Sequence, residues 1–320
     1  MRRLLIASLF LFAAAVQAVE PDRRITVTID DLPWQRMATT SPNALRTRHA
    51  ALLEQLRRGD VPVAGFVNED KLEIEGVVEP ERVAMLEAWL DAGYLLGNHT
   101  YGHLDVHAVG IPAFKDAILR GERVLRPMLA KRGQAPQWFR HPYLRAGRTG
   151  EDKAAITDFL AQHSYRVAPV TVDNGEWVWA FAYAQVIGTQ ANTPERAALL
   201  ERLRLGYVPY MLNKLDYYER QSQALLGYAL PQILLLHANE LNAEAYAELI
   251  AGIKRRGYRF TTLEETMRDP AYTREDGYHG RYGPSWLHRW ARAENKPKEF
   301  YAGEPEVPQW VLDLAGAKSE

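Results

Sequence analysis

His99 and His103 stand four residues apart, the spacing at which two imidazoles meet on one face of a helical turn and can reach one divalent cation. A carboxylate from elsewhere in the chain would complete a two-His, one-carboxylate set that leaves positions open for water. The acid pair Asp30-Asp31 is the candidate source, and because the chain has no cysteine, any metal it holds must be bound by nitrogen and oxygen. Adjacent side chains on a strand point to opposite faces, so both aspartates serve one site only if the strand stops there. Leu32-Pro33 supplies a reason for it to stop, since proline cannot continue a central strand. Taken alone, an Asp pair before a turn is usually a solvated cap, and a lone His pair is weak evidence.

Three more clusters carry groups of the same kind. In Arg140-His141-Pro142-Tyr143 an arginine fork could fix a carboxylate and keep it ionised, although bridging surface acids is the commoner fate of arginine. Asp173-Asn174-Gly175-Glu176-Trp177 places acids before a large aromatic, which by itself also reads as a turn with a core tryptophan. His237 follows the aliphatic run Ile233 to Leu236, as would a core histidine satisfied by hydrogen bonds. His49, His163, His279 and His288 are isolated, and His107 overshoots the spacing.

The elements that must position these groups follow one rhythm. Short β-rich runs at Ile25 to Ile29, Val63 to Val67, Tyr94 to Gly97, Gln137 to Phe139, Arg166 to Val172, Gln232 to Leu236 and Tyr258 to Thr261 predict seven strands. Between them, Asn43 to Arg58, Pro80 to Ala92, Pro112 to Lys131, Glu151 to His163 and Asn242 to Arg255 have helical period, several opening with Asn or Pro and closing before Gly. This βα alternation predicts an α/β fold with a mostly parallel sheet and helices outside. Every cluster named above falls at the C-terminal end of a predicted strand, the active face of an α/β barrel. Asn192 to Leu226 predicts an inserted helical pair, and 269–320 an extension whose tyrosines and tryptophans pin it to the domain. A sugar-stacking surface is the other reading of those aromatics.

Arg2 and Arg3, the apolar run Leu4 to Val16 and the small residues around Ala18 predict a cleaved signal peptide over residues 1–18, and hence a periplasmic or secreted protein without a stable membrane anchor. Thirteen apolar residues rise about 20 Å as a helix, short of the roughly 30 Å hydrocarbon core. The 39 basic and 40 acidic side chains give a net charge of -1, which supplies no field for a phosphate polymer and excludes nucleic acid as a partner. With 47% hydrophobic and 25% charged residues among 320, the chain is long and apolar enough to bury a large core.

In order and content the five clusters resemble the motifs of the polysaccharide deacetylase family, carbohydrate esterase family 4, with its NodB homology domain. Thr28-Ile29-Asp30-Asp31 is similar to its Thr-Phe-Asp-Asp motif, His99 to His103 to His-Thr-x-x-His, and Arg140 to Tyr143 to Arg-x-Pro-Tyr. Asp173 to Trp177 is similar to Asp-x-x-Asp-Trp, and Leu235-Leu236-His237 to Leu-x-His. The resemblance spans Ile25 to about Leu263 and implies a deformed (β/α)7 barrel, placing a catalytic domain at 19–268 with the helical insertion at 192–226. It implies metal ligation by Asp31, His99 and His103, usually of zinc or another divalent transition ion. It further implies Asp30 as general base held by Arg140, the backbone N–H of Tyr143 as oxyanion donor, and His237 as the acid that protonates the leaving group. His237 must begin as imidazolium, so it needs a carboxylate partner, assigned to Asp173 with Glu176 in reserve.

The implied activity is removal of acetyl groups from an N- or O-acetylated glycan. The competing readings are a glycan- or metal-binding protein without turnover and a hydrolase of another amide or ester; oligomeric state is left open. Three departures from the family pattern stand out: Ile29 for Phe, Leu32 for Gly, and Glu176, one methylene longer than the usual Asp.

Overall fold

The computed structural model describes residues 22–37, 40–189 and 192–320; the expected signal peptide lies outside them. In chain order the strands are β1 (Arg24–Leu32), β2 (Val63–Val67), β3 (Glu73–Ile74), β4 (Val77–Val78), β5 (Leu95–Asn98), β6 (Trp138–Phe139), β7 (Arg166–Val167), β8 (Gln232–His237) and β9 (Arg259–Phe260). The helices are α1 (Pro42–Gly59), α2 (Pro80–Asp91), α3 (Val106–Val109), α4 (Ile111–Arg120), α5 (Leu125–Ala130), α6 (Gly150–Gln162), α7 (Glu176–Thr189), α8 (Pro194–Leu226), α9 (Asn242–Arg255), α10 (Leu263–Thr266), α11 (Trp286–Ala293) and α12 (Gln309–Ala315).

Seven strands form one parallel sheet in the order β7-β6-β5-β2-β1-β8, with β9 added to the start of β1. Each of the seven falls within or beside a run anticipated from sequence. The sheet curls, and the run after β7 draws its ends together: Ala168 N donates to Phe139 O at 2.8 Å, while Val172 N donates to Ile233 O at 3.0 Å and Val172 bridges Leu234. The result is a deformed (β/α)7 barrel, with β6 and β7 only two residues long. Ala64, Phe66, Trp138, Ala168 and Ile233 cluster across three strands and the closing run, a packed barrel interior rather than a pore. The alternate residues of β2, Val63 and Val67, join the larger core under the helices.

Helix α1 shows how sequence sets these elements. Ser41 caps it by accepting from Ala44 N, Pro42 opens it, and Leu45, His49, Leu52, Leu53 and Leu56 are buried at helical spacing. Two expectations need correction, and two elements, α7 and the β3–β4 hairpin, lie outside the predicted ones. Pro112 to Lys131 is two helices, α4 and α5, separated by a turn at 121–124. The insertion is not a helical pair: α8 is one helix of 33 residues, about 50 Å long, and its antiparallel neighbour is α7, which starts within the fourth motif. Helix α7 escaped notice because Trp177 to Ile187 is apolar on every side, as suits a helix packed between α8, α12 and β8, so it lacks a 3.6-residue period. The β3–β4 hairpin also went unread.

The extension after Asp269 packs on the domain through Trp286, Leu287 and Trp290, all buried in the main core, and through Trp310, whose ring stands edge-on to Trp179 at 5.9 Å. Helix α8 holds it as well: Lys214 Nζ donates to Glu304 at 2.8 Å and Gln221 Nε2 to Phe300 O at 2.7 Å.

Candidate metal centre and active site

β1 delivers both aspartates to one place. Asp30 is still in register with His237 of β8, whereas the pairing of β1 with β2 shifts between Ile29 and Leu32. At Asp31 φ is +68°, a left-handed conformation that Asp tolerates better than most residues, and this turn overrides the pleat. Asp30 and Asp31 are both buried at the mouth of the barrel.

His99 follows β5 directly and His103 lies in the loop beyond, so the helical turn expected to unite them is absent. Left-handed Thr100 (φ +70°), Gly102 (+80°) and His103 (+48°) coil the loop instead and stack the two rings edge-on with centroids 4.8 Å apart. The loop is held by polar groups outside the recognised motifs. Asn98 Oδ1 accepts from Thr100 N at 2.7 Å, Asn68 Nδ2 donates to His99 O at 2.6 Å, and Asp70 Oδ1 accepts from Gly102 N at 2.9 Å. Five site residues, Asp31, Thr100, His103, Tyr143 and Leu144, have positive φ, at a cost of order 1–3 kcal/mol each. Such conformations persist only where surrounding contacts enforce them.

One oxygen of Asp31 and one nitrogen of each histidine lie within 4.8 Å of one another. The Nε2 atoms of His99 and His103 are 4.0 and 3.8 Å from Asp31 Oδ1. Two ligand atoms each bonded at about 2.2 Å can stand at most about 4.4 Å apart, so both pairs are within reach of a common cation. The donor chemistry agrees. His99 Nδ1 donates to Arg140 O at 2.8 Å, which leaves the lone pair on Nε2, facing the aspartates. Burial, more than any neighbouring charge, pushes the pKa values of His99 and His103 down and favours neutral rings. Asp30 Oδ1 and Asp31 Oδ1 are buried and accept no hydrogen bond among the described residues, which is unused ligand capacity at the expected place. A divalent ion of N/O preference therefore fits these residues.

Lys71, missed from sequence, sits beside that set. Its Nζ lies 3.2 Å from Asp31 Oδ1, an ion pair without hydrogen-bond alignment. Burial alone would raise the Asp31 pKa, but Lys71, followed by His103, His237 and His99, outweighs it and holds the carboxyl below its ordinary range. Asp30 behaves differently: burial raises it to about 6, opposed chiefly by Arg140. Arg140 is fully buried and donates to Asp30 Oδ2 at 3.3 Å, Thr28 Oγ1 at 3.0 Å and Ala168 O at 2.8 Å.

His237 pairs with Glu176, not with Asp173. His237 Nδ1 donates to Glu176 Oε2 at 2.6 Å, and Glu176 Oε1 accepts from Asn239 and Asn242 at 2.6 and 2.7 Å. Glu176 opens α7 and is fully buried, so its extra methylene carries the carboxylate from the helix start to the end of β8. Burial would lower the pKa of His237, but Glu176 outweighs it and raises it to about 9. Asp173 is used locally: its Oδ1 accepts from Asn174 N at 2.9 Å, and burial raises its pKa to about 6 with Lys214 as the main opposing charge. The Asn239 and Asn242 partners of Glu176 could have been sought in the polar run after His237. Lys71, Asn68 and Asp70 could have been sought in the polar block that ends β2.

Tyr143 completes the rim. Its backbone is left-handed (φ +55°), its ring is half exposed, and it stands edge-on to His103 with centroids 4.4 Å apart. The site lies at the C-terminal ends of β1, β5, β6 and β8. A separate groove of about 690 Å3, lined by Leu96, Leu129 and Trp138, lies at the opposite end of the strands and touches none of these groups.

Comparison with known proteins agrees with this architecture. Residues 17–162 match the polysaccharide deacetylase family model. A mutant of a CE4 family pseudoenzyme from Bacillus anthracis is 17% identical, the match covering 77% of this chain and 67% of that one with a TM-score of 0.51. A chitin deacetylase from the fungal pathogen Colletotrichum lindemuthianum is 22% identical over 82% of this chain and 94% of that one, with a TM-score of 0.50. These likenesses bear on the fold. No curated protein matches the chain. Residues 17–162 thus match the polysaccharide deacetylase family in sequence, and the described residues form a curled barrel like that of the two solved structures.

Proposed function

We propose that the protein is a metal-dependent hydrolase that releases acetate from an N- or O-acetylated glycan, an amino-sugar polymer of the cell envelope being the preferred substrate. The supporting observation is the convergence of Asp31, His99 and His103 beside a buried Asp30 whose Oδ1 accepts no hydrogen bond among the described residues. A divalent ion, zinc by preference, would be held by these three residues and would supply Lewis acidity and a water of lowered pKa. Asp30, fixed by Arg140, takes the proton of the attacking water as the new C–O bond forms at the acetyl carbon. The backbone N–H of Tyr143 donates to the oxyanion. His237, kept as imidazolium by Glu176, gives its Nε2 proton to the leaving amine or alcohol as the acyl bond breaks.

The protein is proposed to act in the periplasm or outside the cell; no helix among the described residues is long and apolar enough to cross a membrane. A second reading, glycan or metal binding without turnover, has the Lys71–Asp31 ion pair in its favour, since a resident ammonium already compensates that ligand.

Acetate release from chitooligosaccharides, peptidoglycan and acetylated xylan, with and without a chelator, decides between them. Activity lost in chelator and restored by zinc is expected. Undiminished activity in chelator would refute the metal role, and no release from any substrate would favour the binding protein. Turnover of a non-acetyl amide or ester alone would point to the third class.

A further inference from the structure

The C-terminal extension does more than cover the core, because two of its residues bear on the loop that carries Tyr143. Arg289 of α11 is a buried cation, only 1% exposed. Its Nη2 donates to Leu144 O, its Nη1 to Asp276 Oδ2 at 2.7 Å and its Nε to Pro284 O at 2.9 Å. Six residues before it, Gly283 lies so near that a Cβ there would meet Tyr143 O at 1.9 Å. The extension thus touches the carbonyl oxygens of two consecutive residues, Tyr143 and Leu144, which are both left-handed, at φ +55° and +53°. Its own position is fixed: Ser285 Oγ donates to Thr171 O at 2.7 Å and Trp286 N to Val170 O at 2.8 Å, anchoring it to the run that closes the barrel.

We infer that Arg289, with Gly283, is a positioning device for the reaction: by holding the carbonyls of Tyr143 and Leu144 it keeps both residues left-handed, and through the φ and ψ of Tyr143 it fixes the direction of that residue's N–H. This rests on the oxyanion role proposed for Tyr143. The grip itself, however, is a statement about the loop and holds or fails separately. The N–H of Tyr143 belongs to the peptide unit before the held carbonyls, so its direction relative to them is set by φ and ψ of Tyr143 (55° and 17°), which the left-handed turn fixes. Preorganised donors act on kcat more than on ground-state binding, because they bond more strongly to the charge that develops in the transition state.

The test uses the full chain and the variants Arg289→Gln, Arg289→Lys and Gly283→Ala. Asp276 keeps Lys153 at 3.1 Å when Arg289 is neutralised, so no acid is stranded by the change. In Arg289→Gln, kcat for acetate release from 4-nitrophenyl acetate and chitooligosaccharides is expected to fall tenfold or more, with KM and zinc uptake within twofold. Arg289→Lys should recover part of the loss, because an ammonium can still donate to Leu144 O. Gly283→Ala, which retains the arginine, should reproduce the kcat defect, and it carries the test if neither Arg289 variant folds. Independently of activity, amide hydrogen exchange in peptides spanning 141–146 should quicken at least tenfold in these variants, with β1 and β8 unchanged. Unaltered exchange in folded variants would overturn the inference, as would faster exchange with unaltered kcat. Were the wild-type protein to release no acetate at all, the proposed function would fail while the exchange measurement still decided the grip.

Discussion

Lys214 in α8 and Lys71 beside β2 are both largely shielded from solvent, but their surroundings differ. Lys214 Nζ bonds Glu304 at 2.8 Å and lies 3.3 Å from Glu320, and nearby Tyr210, Tyr217 and Tyr218 all find hydrogen-bond partners. Between α8 and the extension, polar groups mostly satisfy one another, and their role is to fasten two parts of the fold. Lys71 faces Asp31, one of whose oxygens accepts no hydrogen bond, next to Asp30 in the same condition. Leaving buried acceptors unpaired costs about 1–3 kcal/mol each, and left-handed loops add to that cost. Unpaired atoms also occur between α8 and the extension, at Gln221 Oε1, Trp290 Nε1 and the Tyr301 hydroxyl, but those are single neutral groups; at the strand ends they are oxygens of two adjacent carboxylates beside two imidazoles, which marks the polar groups kept available for a ligand.

The contrast can be broken most severely at Asp30. Asp30→Asn removes the proposed base while keeping its shape, and acetate release should drop about 100- to 10,000-fold, with zinc uptake by equilibrium dialysis retained. Glu176→Gln comes next. The pKa of His237 is raised above its ordinary 6.5 to about 9, so the acid it offers is present up to about pH 8 and is lost as pH rises through 9. The stability that the His237–Glu176 pair contributes is fully present below about 6.5 and is likewise lost as pH rises through 9. With the carboxylate gone, the alkaline limb of the kcat profile should move down to 6.5 or lower, roughly a 30-fold loss at pH 8 and far less at pH 6. An alkaline limb left near 9 would remove Glu176 from the mechanism.

Lys214→Met probes the other region. It should lower the stability read from urea unfolding by about 1–3 kcal/mol while leaving acetate release within twofold; a large fall in activity would show that the two regions are coupled. The smallest effect is expected at Glu264, whose pair with Arg166 is nearly half exposed on both sides. Glu264→Gln should change stability by less than about 1 kcal/mol, which sets the baseline for the others.

Much of this was legible before any coordinates. Ile25 to Ile29 and Gln232 to Leu236 could be read as strands because their apolar runs are short and end at polar residues. The groups at their ends, Asp30, Asp31 and His237, follow from where the runs stop. Arg140 could be placed against Asp30 only through the family resemblance, and the structure has it there. Helix α7 could not be read, since its less buried stripe, Trp177, Phe181 and Ala184, is as apolar as its buried faces and so displays no polar period. The partner of His237 was misassigned to Asp173 because a motif aligns positions, whereas a hydrogen bond depends on how far a side chain reaches.

The local pattern of the chain determined the number of strands in the main sheet, their order along the chain and the identity of the polar groups at their ends, because alternation, capping and chain breaks act between near neighbours. Tertiary structure alone decided that Lys71 would stand by Asp31, that Glu176 rather than Asp173 would serve His237, and that the extension would grip Tyr143–Leu144. Those contacts join residues 40, 61 and 145 positions apart, and the direction of each is set by left-handed backbone and helix starts that no local spacing encodes.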